Sequence, residues 1–242
     1  MSIAEKLTTI AENERKVFDS GKQAEYDKFW DDYQQNGNRT NYEYCFSGRG
    51  WNDETFKPKY DIVPTANTNM FTFCGVTDMI KALENASVKL DLSKAVSTSY
   101  LLQGSFITRF PTIDTSSRKG IDYFLLGNEN LEYVEKVILK SDGSQTFNNY
   151  SFMNNPNLKD IRFEGVIGQN GFNISSSPLL SKASIESIIN ALSTVTSGLT
   201  VTLSKTAVNN AFETSTGLAN GSTSQEWLDL IATKSNWTIS LV

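Results

Sequence analysis

The chain has 242 residues, of which 39% are hydrophobic and 20% charged, and its net charge is −5. It is long enough to bury a substantial core, and its acidic balance argues against nucleic-acid binding, which needs clustered Lys and Arg. It contains no histidine, which excludes Ser-His-Asp and Cys-His catalysis and histidine metal sites, whereas carboxylate-, lysine- and tyrosine-based enzymes stay open.

The first residues, "MSIAEKLTTIAENERK", carry no targeting signal that we recognise. They lack the apolar stretch of a secretory signal peptide, and no apolar run of about 18 residues offers a membrane span. We therefore expect no signal peptide, no membrane span and synthesis in the cytoplasm. Cys45 and Cys74 either form a disulfide or are free thiols, and we favour the interpretation that each is a small buried side chain.

Residues 1–37 are predicted to form an N-terminal helix. Ser2 and Glu5 form a capping box that would start the helix, and Asn36-Gly37 would end it. Because Gly21 lies inside the pattern, the segment is either one kinked helix or two helices. Apolar side chains lie at nearly coiled-coil spacing in the first half of this helix: Ile3, Leu7, Ile10 and Val17. Two hypotheses follow: residues 2–19 form a homo-oligomer contact or dock on a larger structure, or the helix folds back onto its own chain.

Residues 38–68 are predicted to form an aromatic-rich capping segment. Aromatic residues lie among Gly, Asn and Pro without a helical period: Tyr42, Tyr44, Phe46, Trp51, Phe56 and Tyr60. We expect these rings, with Tyr26, Phe29, Trp30 and Tyr33 of the helix, to cover the apolar end of the section that follows. The alternative is that exposed rings near Trp51 stack on a sugar.

From residue 69 onward a pattern recurs roughly every 20 to 30 residues, a period typical of stacked repeats. Each unit has an aromatic or Met-rich start, a polar loop, and then an apolar residue followed three positions later by another. The apolar positions that align are Val76, Ile107, Leu131, Leu158 and Leu180. We expect residues 69–212 to stack, with Leu131, Leu158, Ile161 and Phe163 buried.

Strands and helices alternate towards the end of the chain. "VKLDLSKAV" from Val88 and "LTVTLSKTAV" from Leu199 each predict a short strand followed by a helix start, and "SKASIESIINAL" has helical spacing. Thr223 and Glu226 predict the cap of a last helix, and residues 237–242 predict a closing strand.

The segments "ITRFPTI", from Ile107, and "LKDIRF", from Leu158, fit the strand of a leucine-rich repeat. With the aromatic-loop-"NLxxI" pattern and Cys74, residues 69–212 resemble the bacterial surface-antigen (BspA-like) leucine-rich-repeat proteins. The resemblance implies an α/β repeat fold. Residues 69–242 would form an irregular leucine-rich-repeat solenoid with a C-terminal helix-strand cap, preceded by the N-terminal helix and the aromatic-rich cap.

The earlier stretch "AEYDKFWDDYQQNGNRTNYEYCFSGRGWNDETFKPKYDI", residues 24–62, resembles the opening of leucine-rich-repeat proteins encoded by gut bacteria and their prophages, often among tail or other virion structural genes. This resemblance implies a non-enzymatic protein that is associated with a virion or displayed on a cell surface.

We expect a non-catalytic recognition or structural protein that binds a protein or glycan, with no catalytic residue, metal site or cofactor. Candidate binding residues on the outer face of the strands are Thr108, Arg109, Lys159, Asp160 and Arg162, although a solvated row of charges explains them as well. The alternative is a carbohydrate-binding protein or a carboxylate-based carbohydrate-active enzyme, which needs two carboxyl groups about 5 to 9.5 Å apart. A purely architectural subunit is a third hypothesis.

Overall fold

A computed structural model of the chain describes residues 24–31, 46–48, 50–64, 70–95, 98–212 and 224–242. These ranges contain five helices, namely α1, described over residues 24–31, α2 (Met79–Ala86), α3 (Lys182–Ala191), α4 (Lys205–Phe212) and α5 (Gln225–Ala232). The strands within them are β1 (Arg109–Phe110), β2 (Ile113–Asp114), β3 (Tyr133–Ile138), β4 (Asp160–Glu164), β5 (Leu199–Leu203) and β6 (Trp237–Leu241).

The strands form two small parallel sheets. In the first, β1 and β2 both pair with one side of β3, and β4 pairs with its other side. Pro111 separates β1 from β2, because proline has no N–H to donate to a ladder. The second sheet pairs β5 with β6 in unbroken register.

Apolar side chains from the successive segments form a continuous core. Phe110, Val134 and Ile161 lie side by side on adjacent strands and are fully buried. The predicted burial of Leu131, Leu158 and Ile161 is confirmed, and the other aligned apolar positions, Val76, Ile107 and Leu180, are buried as well. Phe163 is only half-buried, with its ring centroid 5.6 Å from that of Phe152 and 5.3 Å from that of Phe172.

Backbone hydrogen bonds join each segment to one that lies a few tens of residues away. The Phe71 N–H donates to the Leu101 carbonyl at 3.0 Å, and the Gly127 N–H donates to the Met153 carbonyl at 3.0 Å. Next to the Gly127–Met153 hydrogen bond, the Asn128 N–H donates to a side-chain acceptor, Asn155 Oδ1, at 3.2 Å. Buried backbone groups at these turns are therefore paired, as a low-dielectric interior requires.

The first sheet ends at β4 because helix α3, and not another strand, lies along the edge of that strand. The N–H of Ile161 donates to Ser184 Oγ at 3.0 Å, and the N–H of Phe163 donates to Ser187 Oγ at 2.8 Å. Two serine hydroxyls, about one helical turn apart, thus take the place of the carbonyls that a further strand would present.

The predicted leucine-rich-repeat solenoid is wrong. The structure has mixed α/β content, with five helices in the described residues and strands divided between a four-stranded and a two-stranded sheet. The physical reason is that, in the described residues, extended strand pairing occurs only in residues 109–164, where the register shifts between Val134 and Val137, and between β5 and β6. Elsewhere neighbouring segments meet at single bridges, such as Ile62 with Leu90, or the chain turns into helices. Apolar spacing alone does not distinguish these arrangements.

Several elements match their predictions. The helix of residues 182–191, the strand from Leu199 with its following helix, and the closing strand from Trp237 are confirmed. The predicted strand from Val88 is reduced to the bridge at Leu90. The cap of α5 is Ser224, whose hydroxyl accepts a hydrogen bond from the Trp227 N–H at 3.2 Å.

The remaining predictions fall outside the described ranges. They concern Tyr33, Cys45, and the assembly contact proposed for residues 2–19. The proposed division into residues 1–37, 38–68 and 69–242 stays a prediction, because its two boundaries also fall there.

Strand β6 lies at one border of the second sheet. The Val242 N–H donates to the Leu203 carbonyl at 3.1 Å, and the Val242 carbonyl accepts from the Lys205 N–H at 2.9 Å. Because backbone groups of a parallel strand point alternately to its two sides, those of Ile239 and Leu241 point away from β5. No strand of the described residues pairs with that side of β6.

Candidate functional site: a groove beside α2

A groove of about 790 Å³ lies beside helix α2 in the described part of the chain. Its walls come from three places: helix α1, the segment 53–59, and one side of α2 with the two residues before that helix. Acidic, basic and apolar side chains all contribute to it. None of the residues that line it is among the five predicted binding residues.

Packed aromatic rings hold α1 against the segment that forms the groove. The Trp51 ring centroid lies 4.7 Å from that of Tyr26 and 5.1 Å from that of Phe29, and Trp30 stacks on Phe46 at 5.7 Å. The Tyr26 hydroxyl also donates to the Gly50 carbonyl at 2.6 Å. The predicted packing of this part of the helix on the aromatic segment is confirmed. Trp51 is 8% exposed, so its faces are not open for stacking on a sugar.

Asp53 is held by the residue that precedes the cap of α2. Its Oδ1 accepts from the Thr77 N–H at 2.8 Å, and its Oδ2 accepts from the Thr77 hydroxyl at 2.5 Å. Both oxygens of this carboxylate therefore fix the loop before α2.

Asp78 is the N-cap of α2. Its Oδ1 accepts from the Lys81 N–H at 3.0 Å, satisfying one of the free donors of the first turn. Its Oδ2 lies 2.9 Å from Nη1 of Arg109, which belongs to β1. This carboxylate thus joins the helix to the first sheet.

Lys59 forms an ion pair with the helix on the opposite wall. Its Nζ lies 3.2 Å from Asp27 and 3.4 Å from Asp31. The hydrogen bond to Asp27 and the negative charge of both aspartates raise the pKa of Lys59 above its ordinary value. The pairs are exposed and contribute little to stability.

Lys57 and Lys81 are the two remaining lysines of the groove. Both side chains are exposed, and neither has an acidic partner within 4.0 Å among the described residues. Beside them lie the short side chains of Ala82 and Ala86 and the amide of Asn85. The groove therefore offers two ammonium groups without a direct ion pair to a described residue, next to a small apolar surface.

The five residues predicted from the strand pattern lie together on the first sheet, in or next to β1 and β4. Arg109 contacts Asp78 and lies over the Tyr133 ring, with 5.3 Å between the guanidinium carbon and the ring centroid, and the Thr108 hydroxyl donates to the Thr77 carbonyl at 2.8 Å. Lys159 pairs with Glu132 at 2.8 Å.

The last two of the five lie on β4 and face α3. Asp160 accepts from the Ser181 hydroxyl at 2.6 Å and lies 3.2 Å from Arg162, which also donates to Ser184 Oγ at 2.8 Å. Each of the five side chains thus has a polar partner within the protein. Their role in binding stays a prediction.

A second cavity, of about 280 Å³, lies at the end of α3. Lys234 lines it, and its ammonium group donates to the carbonyls of Asn190 at 3.1 Å and Leu192 at 2.5 Å. Burial lowers the pKa of Lys234. We interpret this lysine as a cap for the last carbonyls of α3, where a positive charge is favourable.

No protein-family model, curated protein or solved structure matches the chain in comparisons with known proteins. Within the described ranges, no helix has the length and apolar character needed to cross a bilayer. In the same ranges, no three carboxylate or thiol side chains gather as metal ligands would.

Only part of the groove had a signal in the sequence. Asp78 before "MIKALENA" is a recognisable N-cap pattern. The placement of Lys57 and Lys81 along one groove had none, because it depends on how the segment 53–59 folds against α2.

Proposed function

We propose that this protein is a non-catalytic recognition protein that binds a protein or glycan ligand in the groove beside α2. The observation that supports the proposal is the contrast between the groove's charges. Asp53, Asp78 and Lys59 are engaged within the protein, whereas Lys57 and Lys81 have no acidic partner in the described residues. A binding site presents polar groups of this kind to a ligand.

The same contrast argues for binding over catalysis. A carboxylate that acts as general acid or base must reach a reacting group of the substrate. The oxygens of Asp53 and Asp78 instead accept hydrogen bonds from Thr77 and Lys81 and an ion pair from Arg109. Their contacts fix the loop before α2 and the start of the helix.

Display on a cell or virion surface is the second part of the proposal. It rests on the resemblance of residues 24–62 to proteins encoded by gut bacteria and their prophages. The genes that flank this one test it, because tail or capsid genes favour a virion role and envelope genes favour a cell-surface role. A neighbourhood of metabolic genes alone would argue against both.

A panel of defined glycans and peptides on an array tests the binding function. The chain is applied alongside a Lys57→Glu, Lys81→Glu variant and a matched Lys94→Glu, Lys119→Glu variant, whose two exposed lysines lie outside the groove. We expect a ligand that the first variant loses and the second retains. Equal binding by all three proteins, or cleavage of a bound member seen by mass spectrometry, contradicts the proposal.

A further inference from the structure

Three aspartates and three lysines line the groove, and two of the lysines favour an anionic group on a ligand. Lys57 and Lys81 carry ammonium groups that no described acidic side chain neutralises, whereas Lys59 already lies between Asp27 and Asp31. A ligand carboxylate near an ammonium group gains a charge-assisted hydrogen bond, which is stronger than a neutral one. A neutral ligand gains no such charge-assisted hydrogen bond.

The start of α2 does not supply a competing anion site. Asp78 already accepts from the Lys81 N–H at 3.0 Å, and its negative charge stands where an anionic ligand would have to sit. An acidic ligand must therefore be held by the lysine side chains, and not by the backbone of the helix.

The shape of the groove favours a peptide over a sugar. Ala82 and Ala86 lie one turn apart on α2 and leave room for a backbone to approach, while the Asn85 amide offers a donor and an acceptor to a peptide unit. Phe56, the aromatic residue that lines the groove, is 2% exposed. A sugar ring would find no open aromatic face there for stacking.

We infer that the ligand of the groove is an acidic peptide segment of a partner protein. Two of its carboxylates bind Lys57 and Lys81, and a small side chain between them packs on Ala82 and Ala86. This inference rests on the proposed function and names the chemical class of its ligand.

Fluorescence anisotropy with defined peptides tests the inference. The probes are labelled, acetylated and amidated eight-residue peptides of alanine with two glutamates at varied separation, and the same peptides with glutamine. At low salt we expect at least one glutamate peptide to bind about tenfold or more tightly than its glutamine counterpart, since charge-assisted hydrogen bonds are stronger than neutral ones. Raising the salt concentration should weaken this binding.

Variants locate the binding. Lys57→Gln with Lys81→Gln should abolish the preference for glutamate, whereas Lys94→Gln with Lys119→Gln should leave it unchanged. Equal affinity for the glutamate and glutamine peptides, or a preference that survives the first pair of substitutions, overturns the inference. If a glycan from the array binds through Lys57 and Lys81 while the peptides do not, the inference fails and the proposed function stands. If no probe depends on the groove lysines, both fail.

Discussion

Buried polar side chains in this protein mainly satisfy the backbone. Asn155 donates from Nδ2 to the Phe152 carbonyl at 2.8 Å and accepts from the Asn128 N–H at 3.2 Å. Arg118 is 4% exposed, and its guanidinium donates to the carbonyls of Asp114 and Leu92. Burial lowers the pKa of Arg118. These side chains link successive segments where regular strand pairing is missing.

Replacing Asn155 with alanine should destabilise the fold. The change leaves the Phe152 carbonyl and the Asn128 N–H without their partners, and each unsatisfied buried group costs about 1–3 kcal/mol. Urea denaturation should therefore give a lower free energy of unfolding for this variant. Asn149→Ala is the matched control, because Asn149 is exposed. Equal stability of the two variants would show that the buried amide contributes nothing.

Cys74 is a buried free thiol, and burial raises its pKa to about 12. In the unfolded chain a thiol ionises near pH 8.5. Between these values the unfolded state loses its proton and the folded state keeps it, so the contribution to stability is complete below about pH 8.5 and is lost as the pH rises.

The stability of the natural chain relative to a Cys74→Ala variant should therefore fall with pH. Above about pH 9 the expected slope is about 1.4 kcal/mol per pH unit. Because every other titrating group is common to both proteins, the difference between their free energies of unfolding isolates this thiol. A difference that stays constant from pH 7 to pH 11 contradicts the burial of Cys74.

At the scale of elements, α3 completes the first sheet. It begins at the N-cap Ser181, whose hydroxyl also donates to Asp160 on β4 at 2.6 Å. Ser184 accepts from both the Ile161 N–H and Arg162, and Ser187 accepts from the Phe163 N–H. Three serines on one helix thus pair with the edge of β4 while Ile185, Ile188 and Ile189 are buried.

Ser184→Ala should destabilise the protein although alanine is the better helix former. The substitution removes the acceptor of the buried Ile161 N–H, and we expect a loss of about 1–3 kcal/mol by chemical denaturation. Glu186→Ala, on the same helix, is the control and should change stability by less than about 0.5 kcal/mol. A Ser184→Ala variant more stable than the natural chain would mean that helix propensity outweighs this hydrogen bond.

The sequence predicted those elements whose pattern is local. Residues 182–191 have a clear helical period, and Leu199 and Trp237 begin alternating apolar runs, so these helices and strands were found. The end of the first sheet was missed because serines at positions 184 and 187 look like ordinary helix residues until β4 lies beside them. The groove was missed for a similar reason, since α1, the segment 53–59 and α2 meet only after folding.

Some of the predicted strand-face residues lie on strands of the first sheet, as the apolar spacing beside them indicated. Arg109 and Asp160 do lie on strands that pair with β3. What a sequence does not show is that Asp78 and Ser181 come from other segments to engage them.

At the scale of the whole molecule, two routes to self-association remain open. One is the predicted contact through residues 2–19. A chain that starts at Ser20 should then be monomeric by light scattering where the full chain is an oligomer. If both are monomers, self-association through residues 2–19 is excluded, whereas docking of these residues on another structure stays a prediction.

The second route is the outer side of β6, and Thr238→Lys tests it. The strand "WTISL" carries no charge and no proline, and a lysine on an edge strand opposes pairing with another strand. We expect this variant to stay monodisperse at concentrations where the natural chain scatters more light. Thr194→Lys adds the same charge to an exposed loop and should behave like the natural chain. If both variants scatter alike, β6 is not a contact.

The side of β6 that no described strand pairs with also has a practical consequence for handling the protein. If this side is a contact, the backbone groups of Ile239 and Leu241 would pair with an extended chain of another molecule, and the rate of such encounters rises with the square of the protein concentration. Shelf life would then depend on dilution, and slow precipitation of a folded sample would begin at this strand without prior unfolding. A short capping peptide that pairs with β6 would act as a preservative.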